Sequence, residues 1–308
     1  MKLPPGLFLV GLVFAVSGCT SVVQRVGISV LYKRADWPEA RVRRDIPYCE
    51  GSNLAKQRLD LFLPKGHDWP VFIFVHGGGW TTGDKALRVG GADVYGNIGR
   101  YLAARGIGVA VISYRLLPGT GLAGQVDDVA QAAAWVHNHI AGYGGDPRQM
   151  FIGGHSAGAQ LADRIALDPR PLQSHGLSPH DLSGVISVSG AGLDLTDETT
   201  YQLGASRQYY EQRFGTNTQA WRESSPVTYV QPGAPPFLIL YAGGETKALQ
   251  RQSRRLQEVL SAHGVKNQLV VVPGQSHTRI VLALSRPDKT AGPAMLNFLR
   301  PSIQNPAP

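Results

Sequence analysis

"FIGGHSAGAQLA", residues 151–162, is the most informative stretch of this 308-residue chain. Its apolar beginning is typical of a buried strand and its end of a helix, and between them Ser156 stands in the pattern G-H-S-A-G. Glycines two residues to either side of a serine let two chain segments pass closely, while the serine takes a strained conformation on a sharp turn. Ser156 is therefore either a nucleophile on a sharp strand-to-helix turn or an ordinary serine in a glycine-rich loop.

Apolar strands alternate with helical segments on both sides of this stretch. The alternation predicts helices at residues 125–140, 157–166 and 247–263, and strands at residues 58–64, 70–76, 108–116, 150–154, 184–190, 235–244 and 268–274. This order is typical of an α/β fold with a mostly parallel central sheet and helices on both faces. In such sheets the chemistry lies beyond the carboxyl ends of the strands, where all the candidate site residues fall.

The run H-G-G-G-W at residues 76–80 directly follows one predicted strand. Acyl transfer needs backbone N–H groups directed at a developing oxyanion, and glycines let the chain approach without a Cβ in the way. We predict that Gly78 and Gly79, together with Ala157, supply these donors. The alternative is a tight turn that binds nothing. Trp80 either shapes an acyl pocket or serves packing.

A serine hydroxyl is a weak nucleophile and needs a base, and the chain has nine histidines. His277, in V-V-V-P-G-Q-S-H-T-R-I, follows the last predicted strand, where the chain order serine, acid, histidine places the base. The alternative for His277 is a surface loop histidine. His155 adjoins Ser156, but its side chain is expected to point away from that of its neighbour.

The acid is the least determined member of the predicted site. Glu245 is the first carboxylate after F-L-I-L-Y-A-G-G and can orient an imidazole, while Asp194, after the preceding strand, is the competitor. A serine and histidine pair without a third member is also open. Residues 194–225 form either a lid over the site or a surface helix that packs Tyr209, Tyr210 and Phe214 against the body.

The N-terminal residues differ in character from the rest. Lys2 precedes the apolar run L-F-L-V-G-L-V-F-A-V at residues 7–16, which suits the core of an export signal, and V-S-G-C at residues 16–19 resembles the bacterial lipobox. We therefore expect a lipoprotein signal peptide at residues 1–18, lipidation of Cys19, a tether with some local structure at residues 19–50 and the α/β domain at residues 51–308.

This interpretation of the N terminus implies a location in the bacterial envelope. The lipid on Cys19 would anchor the chain to a membrane, and the absence of Asp after Cys19 favours the outer membrane. The alternatives are a plain signal peptide or a signal anchor, in which case a bridge between Cys19 and Cys49 is open.

Composition excludes several other classes. A chain that is 43% hydrophobic and 17% charged is typical of a globular protein. The net charge of +8 comes partly from residues 33–44, which form either a solvated basic face or a surface for anionic headgroups. Nucleic-acid motifs are missing from the sequence, as are H-E-x-x-H and cysteine clusters, so we expect no nucleic-acid partner, no metal and no cofactor. The sequence does not predict the oligomeric state.

Five motifs occur together in one order: H-G-G-G-W-T-T-G-D-K, V-I-S-Y-R-L-L-P, Y-G-G-D-P-R-Q-M-F-I-G-G-H-S-A-G-A-Q-L-A, S-P-V-T-Y-V and P-G-Q-S-H-T-R-I. Over roughly residues 55–300 the chain thereby resembles the α/β-hydrolase superfamily. Within it, the resemblance is to the hormone-sensitive-lipase and feruloyl-esterase-like carboxylesterases, which also include kynurenine formamidases and prenylcysteine methylesterases. Members usually have Asp where this chain has Glu245, and H-G where it has Tyr241 and Ala242.

The resemblance implies a serine carboxylic-ester hydrolase for small to medium acyl esters. Ser156 would be the nucleophile, His277 the base and Glu245 the acid, with an acyl-enzyme intermediate and a small-molecule ester as substrate. An amide hydrolase of formamidase type or an acyltransferase would use the same residues, and a non-catalytic binding lipoprotein is the third alternative.

Overall fold

A computed structural model gives the structure of residues 34–300. The predicted signal peptide at residues 1–18, the predicted lipidation site Cys19 and the first part of the predicted tether lie outside these described residues.

Eight strands form one sheet in the order β1-β2-β6-β3-β7-β8-β9-β10. Strands β1 and β2 are antiparallel to their neighbours, and all the others run parallel, as predicted. The strands are β1 (Val42–Pro47), β2 (Arg58–Phe62), β3 (Trp69–Val75), β6 (Gly108–Ile112), β7 (Gly145–His155), β8 (Gly184–Val188), β9 (Phe237–Ala242) and β10 (Asn267–Val272). A separate ribbon consists of β4 (Arg88–Val89) and β5 (Ala92–Asp93).

Helices cover both faces of the sheet. They are α1 (Val94–Ala103), α2 (Leu122–His139), α3 (Ala157–Leu167), α4 (Pro169–Gln173), α5 (Glu198–Gln202), α6 (Arg207–Phe214), α7 (Thr218–Ser224), α8 (Lys247–Ala262), α9 (Ile280–Ala283) and α10 (Ala291–Leu299). Short 3-10 helices lie at Glu39–Arg41, Ile140–Tyr143, Pro179–Asp181 and Pro226–Tyr229.

Strand β3 shows why the core has two halves. Val71, Ile73 and Val75 pack with residues of α2, α3 and α8, whereas Phe72 and Phe74 pack with residues of α1, α9 and α10. Because successive side chains of a strand point to opposite faces, a continuous apolar run such as that of β3 must be buried on both faces. The predicted α/β class is confirmed.

The predicted tether needs a correction, because part of it belongs to the sheet. Strand β1 pairs with β2 in antiparallel register, with Val42 opposite Phe62, and a bulge shifts the register between Arg43 and Ile46. The bulge interrupts the two-residue alternation by which a strand is recognised in a sequence. The sheet therefore begins at Val42, within the range assigned to the tether.

Two further findings concern the envelope prediction. Among the helices of residues 34–300, none combines the length and the apolar character that a membrane-spanning helix needs. Cys49, which is half-buried, is a free thiol and forms no disulfide with any described residue.

Candidate active site

Ser156 lies on a sharp turn between strand β7 and helix α3. Its backbone has φ 57° and ψ −120°, a left-handed conformation that costs a residue with a side chain on the order of 1–3 kcal/mol. A Cβ on Gly154 would lie 2.6 Å from the carbonyl oxygen of Val75, and one on Gly158 would clash with the carbonyl oxygens of Val75 and His76. Both glycines of the motif are thus required by the close approach of neighbouring backbone, which for each includes the carbonyl oxygen of Val75 at the end of β3. The first of the two alternatives for Ser156 describes its conformation.

His277 lies between a hydroxyl and a carboxylate. Its Nε2 is 3.0 Å from Ser156 Oγ, and its Nδ1 is 3.1 Å from Glu245 Oε2. The three residues come from loops after β7, β9 and β10, so the carboxyl ends of three strands bring them together. The structure therefore joins the predicted serine, base and acid in one hydrogen-bonded row.

Glu245 has a fully buried side chain, whose Oε1 finds no hydrogen-bond partner among the described residues. Its loop is tied to the loop of His277, because the N–H of Gly244 donates to the carbonyl of Gln275 at 2.9 Å. The extra methylene of Glu relative to Asp is accommodated, since its carboxylate reaches the imidazole within hydrogen-bond distance.

Asp194, the competing acid, has other partners. Its carboxylate accepts a hydrogen bond from Arg255 Nε at 2.9 Å and from the hydroxyl and N–H of Thr196. This ion pair holds Asp194 against helix α8, whereas the carboxylate 3.1 Å from His277 Nδ1 is that of Glu245. The geometry therefore favours Glu245 over Asp194 as the acid, and the role of the acid stays a prediction.

The loop after β3 has an unusual backbone. Gly78, Gly79 and Trp80 have φ values of 140°, 58° and 64°, and β3 lies next to β7 in the sheet, with Val75 paired to Gly154. Within residues 34–300, the N–H groups of Gly78, Gly79 and Ala157 donate to no backbone or side-chain acceptor. A role for these three N–H groups as oxyanion donors stays a prediction.

Trp80 is a packing residue. It is fully buried, its Nε1 donates to Gln160 Oε1 at 3.1 Å, and its ring meets that of Phe214 edge-on at 4.9 Å. The aromatic residues predicted to pack against the body, including Tyr209 and Tyr210, do so around Trp80. A lid function for residues 194–225 stays a prediction.

Helix α6 of that segment also touches the glycine loop directly. Arg213 donates from Nε to the carbonyl of Gly79 at 3.0 Å, and its guanidinium lies 3.5 Å from the centre of the Tyr209 ring. The segment therefore supports the backbone that carries two of the predicted oxyanion donors.

His155 is the site residue that the sequence analysis set aside. Its Nε2 lies 2.7 Å from the carbonyl oxygen of His277, and the two rings are 4.8 Å apart. Burial, together with the nearby imidazole of His277, lowers the pKa of His155 to about 3. A histidine next to the nucleophile was visible in the sequence, but its contact with the distant loop of His277 was not.

Asp163 is a buried carboxyl on helix α3, two turns after Ser156. Its Oδ2 accepts a hydrogen bond from Ser187 Oγ at 2.7 Å, and its Oδ1 has no hydrogen-bond partner among the described residues. Burial raises the pKa of Asp163 to about 8, although the Ser187 hydrogen bond acts in the opposite direction. The group is therefore largely protonated at neutral pH.

Potential metal ligands do not cluster in the described part of the chain: residues 34–300 contain no group of three or more His, Cys, Asp or Glu side chains that could hold an ion.

Known proteins resemble this chain in sequence and in fold. The isoprenylcysteine alpha-carbonyl methylesterase ICME of Arabidopsis thaliana is 30% identical over 257 residues, which cover 79% of this chain and 58% of that protein. Esterase LipQ of Mycobacterium tuberculosis is 29% identical over 265 residues, covering 83% of this chain and 61% of that protein. The chain thus spans less than two thirds of the length of these curated relatives.

Among solved structures, esterase B of Lactobacillus rhamnosis HN001 superposes with a TM-score of 0.71 at 22% identity, covering 90% of this chain and 89% of that one. The BD-FAE family matches residues 59–260, more than half of the chain. The predicted resemblance to the α/β-hydrolase superfamily is confirmed. The chain has the α/β-hydrolase fold and belongs to the BD-FAE family.

Proposed function

We propose that this protein is a serine carboxylesterase for small to medium acyl esters. The observation that carries the proposal is the position of His277, whose two ring nitrogens lie 3.0 Å from Ser156 Oγ and 3.1 Å from Glu245 Oε2. A hydroxyl, an imidazole and a carboxylate in this row are the parts of a Ser-His-acid triad. The esterase names of the curated relatives agree with it.

In the first half of the reaction, Ser156 attacks the carbonyl carbon of the ester as its proton passes to His277 Nε2. The carboxylate of Glu245 holds the Nδ1–H side of the ring and stabilises the imidazolium that forms. The oxygen of the former carbonyl becomes an oxyanion, which the N–H groups of Gly78, Gly79 and Ala157 receive. His277 then gives the proton to the leaving alcohol, and the acyl group remains on Ser156.

The second half repeats these steps with water as the nucleophile. His277 accepts a proton from the water as it attacks the acyl-enzyme, the same amides hold the oxyanion, and the proton returns to Ser156 Oγ when the carboxylic acid leaves. Every proton transfer in this scheme passes through His277 Nε2, which lies 3.0 Å from Ser156 Oγ.

The test uses the detergent-solubilised full chain with p-nitrophenyl acetate, butyrate and longer acyl esters. Ser156→Ala should lower kcat by at least about 10⁴-fold, because no other group replaces the nucleophile. Ser174→Ala is the matched control, since this exposed serine lies after helix α4 and away from the strand ends that form the site. Hydrolysis that survives Ser156→Ala, or a folded wild type without ester hydrolysis, would overturn the proposal.

Matched substrates distinguish an esterase from an amide hydrolase or an acyltransferase. Hydrolysis of an amide with the same acyl group should be slower than hydrolysis of the ester. Transfer of the acyl group to an added alcohol should also be slower than its transfer to water. An amide rate above the ester rate would instead favour an amide hydrolase that uses the same residues.

We also propose that a lipid on Cys19 anchors the protein to the bacterial envelope, at the outer membrane. The V-S-G-C sequence after an apolar run supports this. Cys19→Ser should move the protein to the soluble fraction and abolish labelling by a fatty-acid analogue, whereas Cys49→Ser, the control, should change neither. Labelling that persists in Cys19→Ser would exclude this attachment site.

A further inference from the structure

His155 is buried beneath the site but takes no part in the proposed reaction. It adjoins Ser156 in the chain, and its ring lies against the loop after β3, because a Cβ on Gly77 would come within 2.9 Å of His155 Nδ1. On its other side, Nε2 is 2.7 Å from the carbonyl oxygen of His277. One side chain thus contacts the base loop and the glycine loop from a position next to the nucleophile.

The hydrogen-bond partner fixes the protonation of this ring. A carbonyl oxygen only accepts, so Nε2 carries the hydrogen. The ring is neutral, because burial and the neighbouring imidazole of His277 hold the pKa of His155 at about 3. Nδ1 therefore has a lone pair and faces the Cα of Gly77, where a side chain would not fit.

We propose that His155 is a positioning residue of the esterase site, which fixes the backbone of His277 through the Nε2–H···O=C hydrogen bond and so holds the imidazole between Ser156 and Glu245. The inference rests on the proposed function. His277 follows β10, an edge strand that pairs with β9 alone, and the Gly244–Gln275 hydrogen bond ties its loop only to the loop after β9. His155 adds an attachment to β7, at the centre of the sheet. Small displacements of a catalytic group lower rates steeply, which gives this bond a consequence for turnover.

Two variants of almost the same size separate the hydrogen bond from packing. His155→Gln places an amide N–H near the position of Nε2, whereas His155→Met fills the same volume without a donor. His155→Met should lower kcat for p-nitrophenyl butyrate about 10- to 100-fold, with KM changed less than about 3-fold. His155→Gln should restore most of the loss. Equal losses in both variants, or full activity in His155→Met, would contradict the positioning role.

A measurement on the wild type does not depend on how the variants fold or on turnover. In the full chain with ¹⁵N-labelled histidine, NMR should show His155 as the neutral Nε2–H tautomer from pH 5 to 8, with a slowly exchanging proton. A ring that titrates in this range, or that carries its hydrogen on Nδ1, would overturn the inference. Loss of ester hydrolysis in the wild type together with the expected tautomer would instead locate the failure in the proposed function.

Discussion

Asp163 should make the stability of this protein depend on pH in an unusual direction. Its folded-state pKa is raised by burial from 3.8 to about 8, so folding favours the protonated carboxyl. The contribution of Asp163 to the free energy of unfolding is therefore largest below about pH 4. It falls by about 1.4 kcal/mol per pH unit as the pH rises towards 8. By pH 7 the loss is on the order of 4 kcal/mol.

The substitution Asp163→Asn tests this pH-dependent contribution to stability. The amide accepts the same hydrogen bond from Ser187 but does not ionise. It has one more buried hydrogen than a protonated carboxyl, which adds a constant cost of about 1–3 kcal/mol at every pH. The free energy of unfolding of the variant, relative to that of the wild type, should accordingly increase from pH 4 to 8 and stay constant above pH 8.

Equilibrium urea unfolding of both full-length proteins at pH 5, 6, 7 and 8 measures this difference. Ser187→Ala serves as the control, because removal of the hydrogen bond that lowers the pKa should extend the pH dependence above pH 8. A difference between Asp163→Asn and wild type that stays constant across these pH values would refute the reasoning, since it would mean that Asp163 does not change ionisation on folding.

Three further predictions concern the site and its supports. Glu245→Gln removes the anion beside the imidazole, so kcat/KM for p-nitrophenyl butyrate should fall about 10³- to 10⁴-fold, and a wild-type value would exclude the acid role. Gly158→Ala should lower the free energy of unfolding in urea by at least about 1–3 kcal/mol, because its Cβ meets the carbonyl of Val75. Gly142→Ala, with open space around it, should be neutral. Arg213→Gln should lower kcat about 5- to 10-fold by releasing a carbonyl of the glycine loop, and unchanged kcat would show that this bond is dispensable.

Local patterns predicted the parts of the site that local geometry requires. The G-H-S-A-G motif gave the turn at Ser156 because two glycines must admit β3, and this requirement is visible in the residues themselves. Likewise, the apolar runs of the parallel strands predicted a sheet buried on both faces.

The choice between Glu245 and Asp194 could not be made in this way. Both follow parallel strands, so both were expected at the same edge of the sheet. In the structure Arg255, on helix α8 and distant in sequence, pairs with Asp194, whereas Glu245 lies beside His277. Ion pairs between distant residues depend on how helices pack, which periodicity does not report.

The same limit applies to β1 and to His155. The bulge in β1 breaks the alternation of its side chains, and the strand is defined by its pairing with β2. The sequence predicts that the His155 side chain points away from that of Ser156, but not what the ring contacts. Its partner, the loop of His277, lies more than a hundred residues further along the chain.

The position of β10 has a consequence for how the protein loses function under stress. Ser156 follows β7, which lies between β3 and β8, while His277 follows the strand at the rim, where Val271 is 46% exposed. Edges of a sheet open at lower free energy than its centre. Mild heat or a low concentration of denaturant should thus abolish ester hydrolysis while most of the structure stays folded. The turnover that remains in a heated sample therefore measures the fraction of molecules in which the β10 edge is still paired. It underestimates the fraction of molecules that are still folded.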